Sequence, residues 1–231
     1  MGKNKGKKNK KDKKKGGKEE LPEFDKYFYY HNSVQSPDAD VEFFRKVYRE
    51  INDGKDPQTL REDFCGTYQI CCEWVKLDDN FHAHGVDLDE EPLNYGGEHH
   101  FQELNSAQQK RIKIHQDDVL ASGLPDTDIA VAVNFSYFIF KKRQVLKKYF
   151  QNVYDSLRNK GVFIMDCFGG PDNCAPNEEE TEYTDLKYSY FWDQDAFDPI
   201  TNEALFYIHF KRKGEKKREQ VFTYDWRMWS I

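Results

Sequence analysis

The sequence predicts an α/β fold of the Rossmann-like, doubly wound type, in which helices cover both faces of a mostly parallel sheet. Segments of strand length alternate with segments of helical periodicity between about residues 59 and 168. Residues 129–135 and 162–168 are mostly apolar, as expected for strands that are buried on both faces. A chain of 231 residues is also long enough to enclose one large core.

The start of the chain differs in composition from the rest. Residues 1–18 contain ten lysines and one aspartate, a local charge of +9 that leaves −15 for the remainder. Because this segment has no apolar residue after Met1, we expect residues 1–22 to form a disordered tail and residues 23–231 to form the folded domain. The tail is a candidate for weak nucleic-acid contact or for nuclear or nucleolar localisation, and a solvated tail without a specific role is an equally good interpretation.

Cysteine usage and hydropathy indicate the cellular compartment. The five cysteines have no regular spacing, which favours a reduced intracellular protein, either cytoplasmic or nuclear. No apolar stretch approaches the length of about 20 residues that a membrane span needs, and the N-terminus lacks the apolar segment of a secretory signal. The histidines show no ligand spacing with cysteine, so we predict no metal site.

The elements can be placed in order along the chain. An aromatic segment, residues 24–31, precedes a helix that begins at Pro37 behind Ser36, a candidate N-cap. Strands, helices and antiparallel strands are then predicted by periodicity and by turn residues. The parallel strands are residues 59–65, 83–88, 111–115, 129–135 and 162–168; the helices are 68–76, part of 91–109, and 141–160; the antiparallel strands are 186–195, 204–213 and 219–230.

Acidic residues lie at the carboxyl ends of the first three predicted strands. The first strand runs into Glu62 and Asp63, the second ends at Asp87, and the third is followed by Asp117 and Asp118. In open α/β sheets ligands bind at the carboxyl ends of the strands, and an acid after the second strand is well placed to accept both hydroxyls of a ribose. That feature is common to nicotinamide dinucleotide sites and S-adenosylmethionine sites.

The turn after the first strand distinguishes these two ligands. A dinucleotide site needs several glycines so that the backbone can approach the pyrophosphate, but here Gly66 stands between Phe64 and Tyr68. S-adenosylmethionine has no phosphate and carries a sulfonium and an ammonium group, which acidic surroundings stabilise. The charges therefore favour S-adenosylmethionine.

Four motifs resemble, in order, those of class I S-adenosylmethionine-dependent methyltransferases. They are LREDFCGT, HGVDLDEEPL, HQDDVL and AVNFSYF, and together with SVQSPDADVEFF and FTYDWRMWS they resemble a subfamily of largely uncharacterised enzymes. The resemblance covers about residues 24–231. In the first motif Glu62 matches the family's acid, while Phe64, Gly66 and Tyr68 stand at the positions of its three glycines.

The resemblance implies a cofactor site for S-adenosylmethionine. Asp87 would bind the ribose, Leu88 would lie against adenine, and Asp118 would face the adenine amino edge together with the backbone around it. Asn134 and Phe135 would lie beneath the sulfonium. The complete expected set is Glu62, Asp63, Phe64, Cys65, Gly66, Asp87, Leu88, Asp117, Asp118, Val119, Asn134 and Phe135.

We expect a methyltransferase that acts on a small molecule or a protein side chain. Two alternatives remain open: a catalytically silent S-adenosylmethionine-binding module whose basic tail binds RNA or a partner, and an NAD-dependent oxidoreductase, which the glycine-poor turn disfavours. Methyl transfer needs a general base only if the acceptor is protonated. Candidates for such a base are Tyr137, His209, Tyr224 and Asp225, although each is also readily explained as a packing or strand-surface residue.

The C-terminal strands are expected to be an antiparallel addition, residues 183–231, that covers the acceptor pocket. Related methyltransferases usually end with a helix and a strand pair that complete the sheet, and no such pattern follows here. The sequence therefore predicts a shortened version of the fold that is prone to association. It also predicts partial exposure of the terminal aromatic segment, which includes Tyr224, Trp226, Met228 and Trp229.

Overall fold

The computed structural model describes residues 22–170 and 174–229, and its centre is a five-stranded parallel sheet. The strands are β1 (Thr59–Asp63), β2 (His82–Asp87), β3 (Ile112–Gln116), β4 (Thr127–Ala132) and β5 (Leu157–Met165). Their order is β3-β2-β1-β4-β5, which confirms the predicted doubly wound fold. The strand order reverses between β1 and β4, and the crevice at their carboxyl ends is where such sheets bind ligands.

Helices cover both faces of this sheet. They are α1 (Lys26–Val34), α2 (Pro37–Ile51), α3 (Gln69–Leu77), α4 (Glu90–His99), α5 (Ser106–Gln109) and α6 (Arg143–Ser156). Successive side chains of β4 point to opposite faces of the sheet and so belong to two core layers. Ile129 and Val131 pack with α2 and α3, whereas Ala130 and Ala132 pack with α6. Both layers are apolar, so the sheet is buried on both faces as predicted.

A second, antiparallel sheet follows β5. Its strands are β6 (Asn177–Tyr183), β7 (Tyr188–Phe197), β8 (Glu203–Arg212) and β9 (Arg218–Arg227), in the order β6-β7-β8-β9. The sequence indicated β7, β8 and β9 but not β6. The sequence of β6, NEEETEY, has no apolar face, and such a strand forms only because β7 supplies the backbone partners.

Helix α1 connects the second sheet with the ligand-binding crevice. Tyr29 is buried between Tyr188 and Phe210, with ring centroids at 4.8 and 5.7 Å, and Ser33 is hydrogen-bonded to the Tyr188 hydroxyl at 2.8 Å. The aromatic segment recognised in the sequence is therefore mostly helix. Its buried side packs on the antiparallel sheet, which leaves another side free to line the crevice.

The end of one helix and the burial of one C-terminal residue also differ from the sequence-based expectations. The helix expected over residues 141–160 ends at Ser156, because Leu157 already pairs with β4 as the first residue of β5. Trp226 is only 5% exposed, which corrects the expectation of a partly exposed terminal segment at that residue. Its ring packs against Phe138 and Phe206, with centroids at 6.0 and 5.6 Å, because β9 lies across the short 3-10 turn that follows β4.

The lysine-rich tail lies outside the described residues, so the expectations about it remain predictions. Within the described residues, no helix is long and apolar enough to cross a membrane.

Candidate functional site

In the loop after β1, three alternate residues have a left-handed backbone conformation. Phe64, Gly66 and Tyr68 have φ angles of 59°, 51° and 44°, all in the left-handed region. The methyltransferase family that the sequence motifs resemble has glycines at these three positions, and glycine adopts this conformation without steric cost. The backbone conformation that the glycines permit is therefore present here with two aromatic residues in it, each at a cost of about 1–2 kcal/mol.

Close contact with α4 and with β2 holds this loop in place. A Cβ atom at Gly96 of α4 would lie 2.3 Å from the Thr67 carbonyl oxygen, so only glycine allows the helix to pack this tightly. The backbone N–H of Gly66 donates to Asp87 Oδ2 at 2.7 Å. The acid expected to bind ribose is therefore also what orients the loop.

Asp87 ends β2 at the mouth of the crevice. Its second carboxylate oxygen, Oδ1, accepts from the Asp89 backbone N–H at 2.9 Å. The neighbouring Leu88 side chain is 63% exposed and therefore accessible to a ligand. A flat apolar group such as adenine would bury it.

The loop after β3 lies beside Asp87. The Asp117 N–H donates to the Asp87 carbonyl oxygen at 3.0 Å, and Asp118 Oδ1 accepts from Leu120 N–H at 2.8 Å. Val119 is buried in the core and fixes the loop from beneath. The structure therefore brings together the residues that the sequence assigns to ribose and adenine.

Glu62 and Asp63 lie on opposite faces of β1, because successive side chains of a strand point in opposite directions. Glu62 accepts from the Cys71 N–H at 3.3 Å and lies near the Cys71 Sγ at 3.2 Å, on the α3 side. Burial raises its pKa to about 8. Asp63 is paired with Arg61 at 2.8 Å and accepts from the Tyr149 hydroxyl at 2.9 Å, with Arg61 and Asp63 fully buried.

Asp63 therefore lies away from the crevice, contrary to the expectation from the sequence. Both of its oxygens are bound by Arg61 and Tyr149, on the α6 side of the sheet. It belongs to the buried ion pair that holds α6 to β1, and we leave it out of the ligand site. Cys65 faces Gly85 of β2 and also lines the cavity described below.

The chain after β4 contains two consecutive left-handed residues. Asn134 and Phe135 have φ angles of 56° and 57°, and their N–H groups donate to the two oxygens of Asp166 at 2.7 and 2.9 Å. Asp166 follows β5, and burial raises its pKa. Sequence reasoning missed this residue, although an acid directly after the apolar strand segment VFIM was the available signal.

A cavity of about 210 Å³ lies between the β1 loop, α1 and β9. It is lined by Phe64, Cys65, Gly66 and Thr67 of the loop; Tyr27, Tyr30 and His31 of α1; Gln35; Asp89 and Pro92; Asn134 and Ser136; and Phe222 and Tyr224 of β9. Gln35 Oε1 is buried and has no hydrogen-bond partner among the described residues. A ligand N–H or O–H group would satisfy it.

The α1 residues of the cavity were not assigned from the sequence. His31 Nε2 lies 2.8 Å from Thr67 Oγ1, and burial together with His100 lowers the pKa of His31 to about 4, so its ring is neutral at pH 7. Burial raises the pKa of Tyr30 to about 12, and Tyr224 of β9 lines the same cavity. The density of aromatic residues before the first strand was the signal that could have placed them here.

Of the base candidates suggested by the sequence, Tyr224 alone is part of the cavity lining. The Tyr137 hydroxyl donates to the Asp166 carbonyl oxygen at 2.9 Å, and Asp225 is ion-paired with Lys141. His209 lies within the second sheet, beside Asp193 at 3.1 Å. The structure therefore does not bring these four residues together.

His209 also belongs to a cluster whose possible metal-ligand atoms lie within 4.8 Å of one another, the other members being Glu178 and Asp193. The backbone N–H of Gln220 donates to His209 Nδ1 at 2.7 Å, which places the imidazole proton on Nε2, toward Asp193. With this tautomer neither ring nitrogen has a free lone pair for a metal ion. His209 and Asp193 form a hydrogen-bonded pair. Glu178 forms an ion pair with Lys217, with Nζ and Oε2 2.6 Å apart.

The electrostatics of the crevice are anionic. Burial is the main reason that the pKa of Glu62 is raised to about 8, and the nearby charges of Asp87 and Asp40 add to it, so Glu62 is mostly protonated at neutral pH until a cationic ligand binds. Burial also raises the pKa of Asp40, and Asp166 adds to that shift. No lysine or arginine is among the described residues that line the cavity. The arrangement therefore fits a cationic ligand and disfavours a pyrophosphate.

Comparisons with known proteins agree with this geometry at the level of the fold. No protein-family model and no curated protein matches the sequence. Solved structures do match over most of the chain. An S-adenosylmethionine-dependent methyltransferase from Clostridium acetobutylicum is 20% identical with a TM-score of 0.66, over 88% of this chain and 80% of that one.

Two further matches are methyltransferases of sugars. The sugar N-methyltransferase KedS8 from a Streptoalloteichus species is 16% identical with a TM-score of 0.64, over 93% of this chain and 84% of that one. The amino pentose methyltransferase CalS10 from Micromonospora echinaspora was solved with S-adenosylmethionine bound. It is 12% identical with a TM-score of 0.68, over 91% of this chain and 85% of that one. The chain thus has a Rossmann-like α/β fold. More specifically, it has the fold of class I S-adenosylmethionine-dependent methyltransferases.

Proposed function

We propose that this protein is an S-adenosylmethionine-dependent methyltransferase. The observation that carries the proposal is the β1 loop, in which the left-handed backbone at residues 64, 66 and 68 is oriented by Asp87 at the mouth of an anionic crevice. This geometry suits a ligand that combines a ribose with a sulfonium and an ammonium group. S-adenosylmethionine is the methyl donor and therefore a substrate of the reaction.

Each part of the donor has suitable residues. The Asp87 carboxylate would accept the ribose hydroxyls, and the exposed Leu88 side chain would pack against adenine. Asp118, with the backbone of Asp117 and Val119, would bind the adenine amino edge. Glu62, Phe64, Cys65, Gly66, Asn134 and Phe135 would surround the methionine part, where burial raises the pKa values of Glu62 and Asp166.

The donor supplies a methyl group that is already activated by the positive sulfur. The protein's own task is then to align the acceptor and to exclude water. Helix α1 and strand β9 are placed for this task, because their side chains close the cavity opposite the β1 loop. We therefore propose that residues 183–231 act as a roof over the acceptor, together with α1.

Two other functions make different predictions for ligand binding. A silent module would bind S-adenosylmethionine without turnover, and an oxidoreductase would bind NAD. Phe64 and Tyr68 occupy positions that a pyrophosphate loop needs for glycine, so we expect no NAD binding.

Calorimetric titration of the full chain with S-adenosylmethionine, S-adenosylhomocysteine and NAD tests the proposal. We expect both S-adenosyl compounds to bind and NAD not to bind. NAD binding, or no binding of either S-adenosyl compound, would refute the proposal. Incubation with methyl-labelled donor and an extract of small metabolites and proteins then separates an enzyme from a silent module, since the enzyme transfers label to an acceptor.

A further inference from the structure

The α1 and β9 sides of the cavity form an aromatic wall. The rings of Tyr30 and Phe222 lie 4.9 Å apart, Tyr27 and Phe222 lie 6.1 Å apart, and Tyr224 of β9 lines the same cavity. Faces of aromatic rings attract cations. Lys26 illustrates this attraction on Tyr27 and Phe222, since its ammonium lies 4.9 and 5.7 Å from their ring centroids.

The charges that act on this wall are negative. Burial is the main cause of the raised pKa values of Tyr27 and Tyr30. The carboxylates of Glu91, Asp89 and Asp87 add to the shift of Tyr27, and that of Asp166 adds to the shift of Tyr30. Lys26 does not offset them at the cavity, because it is paired with Glu91 at 2.6 Å and is not part of the lining. The buried oxygen of Gln35 adds an acceptor that an ammonium N–H would satisfy.

From this wall, and resting on the function proposed above, we infer that the methyl acceptor is an amine that enters the cavity as an ammonium ion. Acceptors that carry a carboxylate or phosphate would be repelled by Asp87, Asp89 and Asp166. A hydroxyl holds its proton far more tightly than an ammonium ion does and needs a strong base to lose it, which His31, with a pKa near 4, and Tyr30, with a pKa of about 12, do not supply at neutral pH. An amine is nucleophilic in its neutral form and needs no strong base.

The reaction balances without a further reactant. The ammonium first loses one proton, for which Asp89, the carboxylate among the described lining residues, and water are the acceptors. The nitrogen lone pair then forms a bond to the methyl carbon while the carbon–sulfur bond breaks, and its electron pair returns to sulfur. The products are a methylammonium ion and S-adenosylhomocysteine.

A pair of matched probes tests the inference: choline and its uncharged isostere 3,3-dimethyl-1-butanol, titrated into the protein saturated with S-adenosylhomocysteine. We expect choline to bind about tenfold more tightly than the isostere. Tyr224→Leu should abolish this preference, and Tyr224→Phe, which keeps the ring, should retain it. Tyr207→Leu is the control and should leave the preference unchanged. Tyr207 pairs with Thr223 across the two strands, so its side chain lies on the face of the sheet that does not carry Tyr224.

Three outcomes would overturn the inference: equal or weaker binding of choline, no binding of either probe, or displacement of S-adenosylhomocysteine by choline. The first two would show that the wall does not select a cation, and the third would show that the cavity belongs to the methyl donor alone. These outcomes are distinct from failure of the proposed function, in which S-adenosylhomocysteine itself would not bind.

Discussion

Glu62 and Asp63 show how much depends on which side of a strand a residue occupies. Both are buried acids at the end of β1, but Asp63 has Arg61 as a partner, whereas the charges that act on Glu62 are Asp87 and Asp40. The spacing of Arg61 and Asp63 in the sequence, two residues apart in a strand, was sufficient to predict that they share a face. The sequence did not reveal that Glu62 lies on the anionic side.

The raised pKa of Glu62 has a consequence for stability. Its pKa is about 8 in the folded protein against an ordinary value of 4.5, so the folded protein binds this proton more tightly than the unfolded chain does. The stability that this group contributes is fully present below about pH 4.5 and is lost as the pH rises through about 8. A carboxylate that is costly to ionise in the free protein is suited to a cationic ligand.

Replacing Glu62 with glutamine should therefore make the protein more stable than the wild type at high pH and at the same time weaken its binding of S-adenosylmethionine. Relative to the wild type, we expect Glu62→Gln to gain about 1–4 kcal/mol of unfolding free energy as the pH rises from about 5 to 9, because the amide never ionises. We also expect it to bind S-adenosylmethionine more weakly. Urea unfolding at several pH values and calorimetry measure the two effects, and an unchanged stability difference across this range would contradict the assigned pKa.

At the scale of elements, the strands and helices of the parallel sheet were predictable because each has its own periodicity. The long-range contacts were not. The position of α1 depends on Tyr29 packing against Tyr188 and Phe210, which are more than 150 residues away in the chain. Asp166 was missed for the same reason, since its role is to bind the backbone of the segment after another strand.

The contact between α4 and the β1 loop leads to a prediction with an internal control. We expect Gly96→Ala to destabilise the protein by about 1–3 kcal/mol and to weaken S-adenosylmethionine binding, because the new methyl group would collide with the Thr67 backbone. At the adjacent Gly97 a Cβ atom would meet the Tyr68 hydroxyl at 3.3 Å, which a small shift of that side chain relieves. Gly97→Ala should therefore be close to neutral in thermal unfolding and titration, and equal effects of the two variants would argue against the packing described.

Helix α1 should become ordered by the methyl donor if it closes the cavity. Tyr27, Tyr30 and His31 line the cavity and would lose exposure to solvent when a ligand fills it. We predict slower amide hydrogen exchange over residues 24–36 on addition of S-adenosylhomocysteine, with no change in β6. Unchanged exchange over residues 24–36 would indicate that α1 is a packing helix and not a cover.

At the scale of the whole molecule, charge is divided between an acidic domain and a basic tail. The negative charge of the domain accords with the carboxylates around the crevice. The lysine-rich tail has no apolar residue after Met1 that would dock on the domain. The fold class followed from the alternation of strands and helices, and the C-terminal antiparallel sheet followed in part from its aromatic strands. Strand β6 did not, since its acidic sequence carries no sign of its pairing.

The tail should be dispensable for folding and for ligand binding. We expect removal of residues 1–18 to leave the melting temperature and the affinity for S-adenosylhomocysteine unchanged, because the contacts described for the crevice all come from residues after it. Differential scanning calorimetry and titration of both forms measure this. A clear loss of either property would mean that the tail contributes to the domain.

Titration of an Asp87 variant tests whether Asp87 organises a crevice for S-adenosylmethionine. We predict that Asp87→Ala remains folded and loses about 2–4 kcal/mol of binding free energy for S-adenosylhomocysteine, because it loses charge-assisted hydrogen bonds to the ribose and to the Gly66 N–H. Asp79→Ala, at a fully exposed position before the opposite end of β2, is the control and should bind as the wild type does. Wild-type affinity in a folded Asp87→Ala protein would contradict the account.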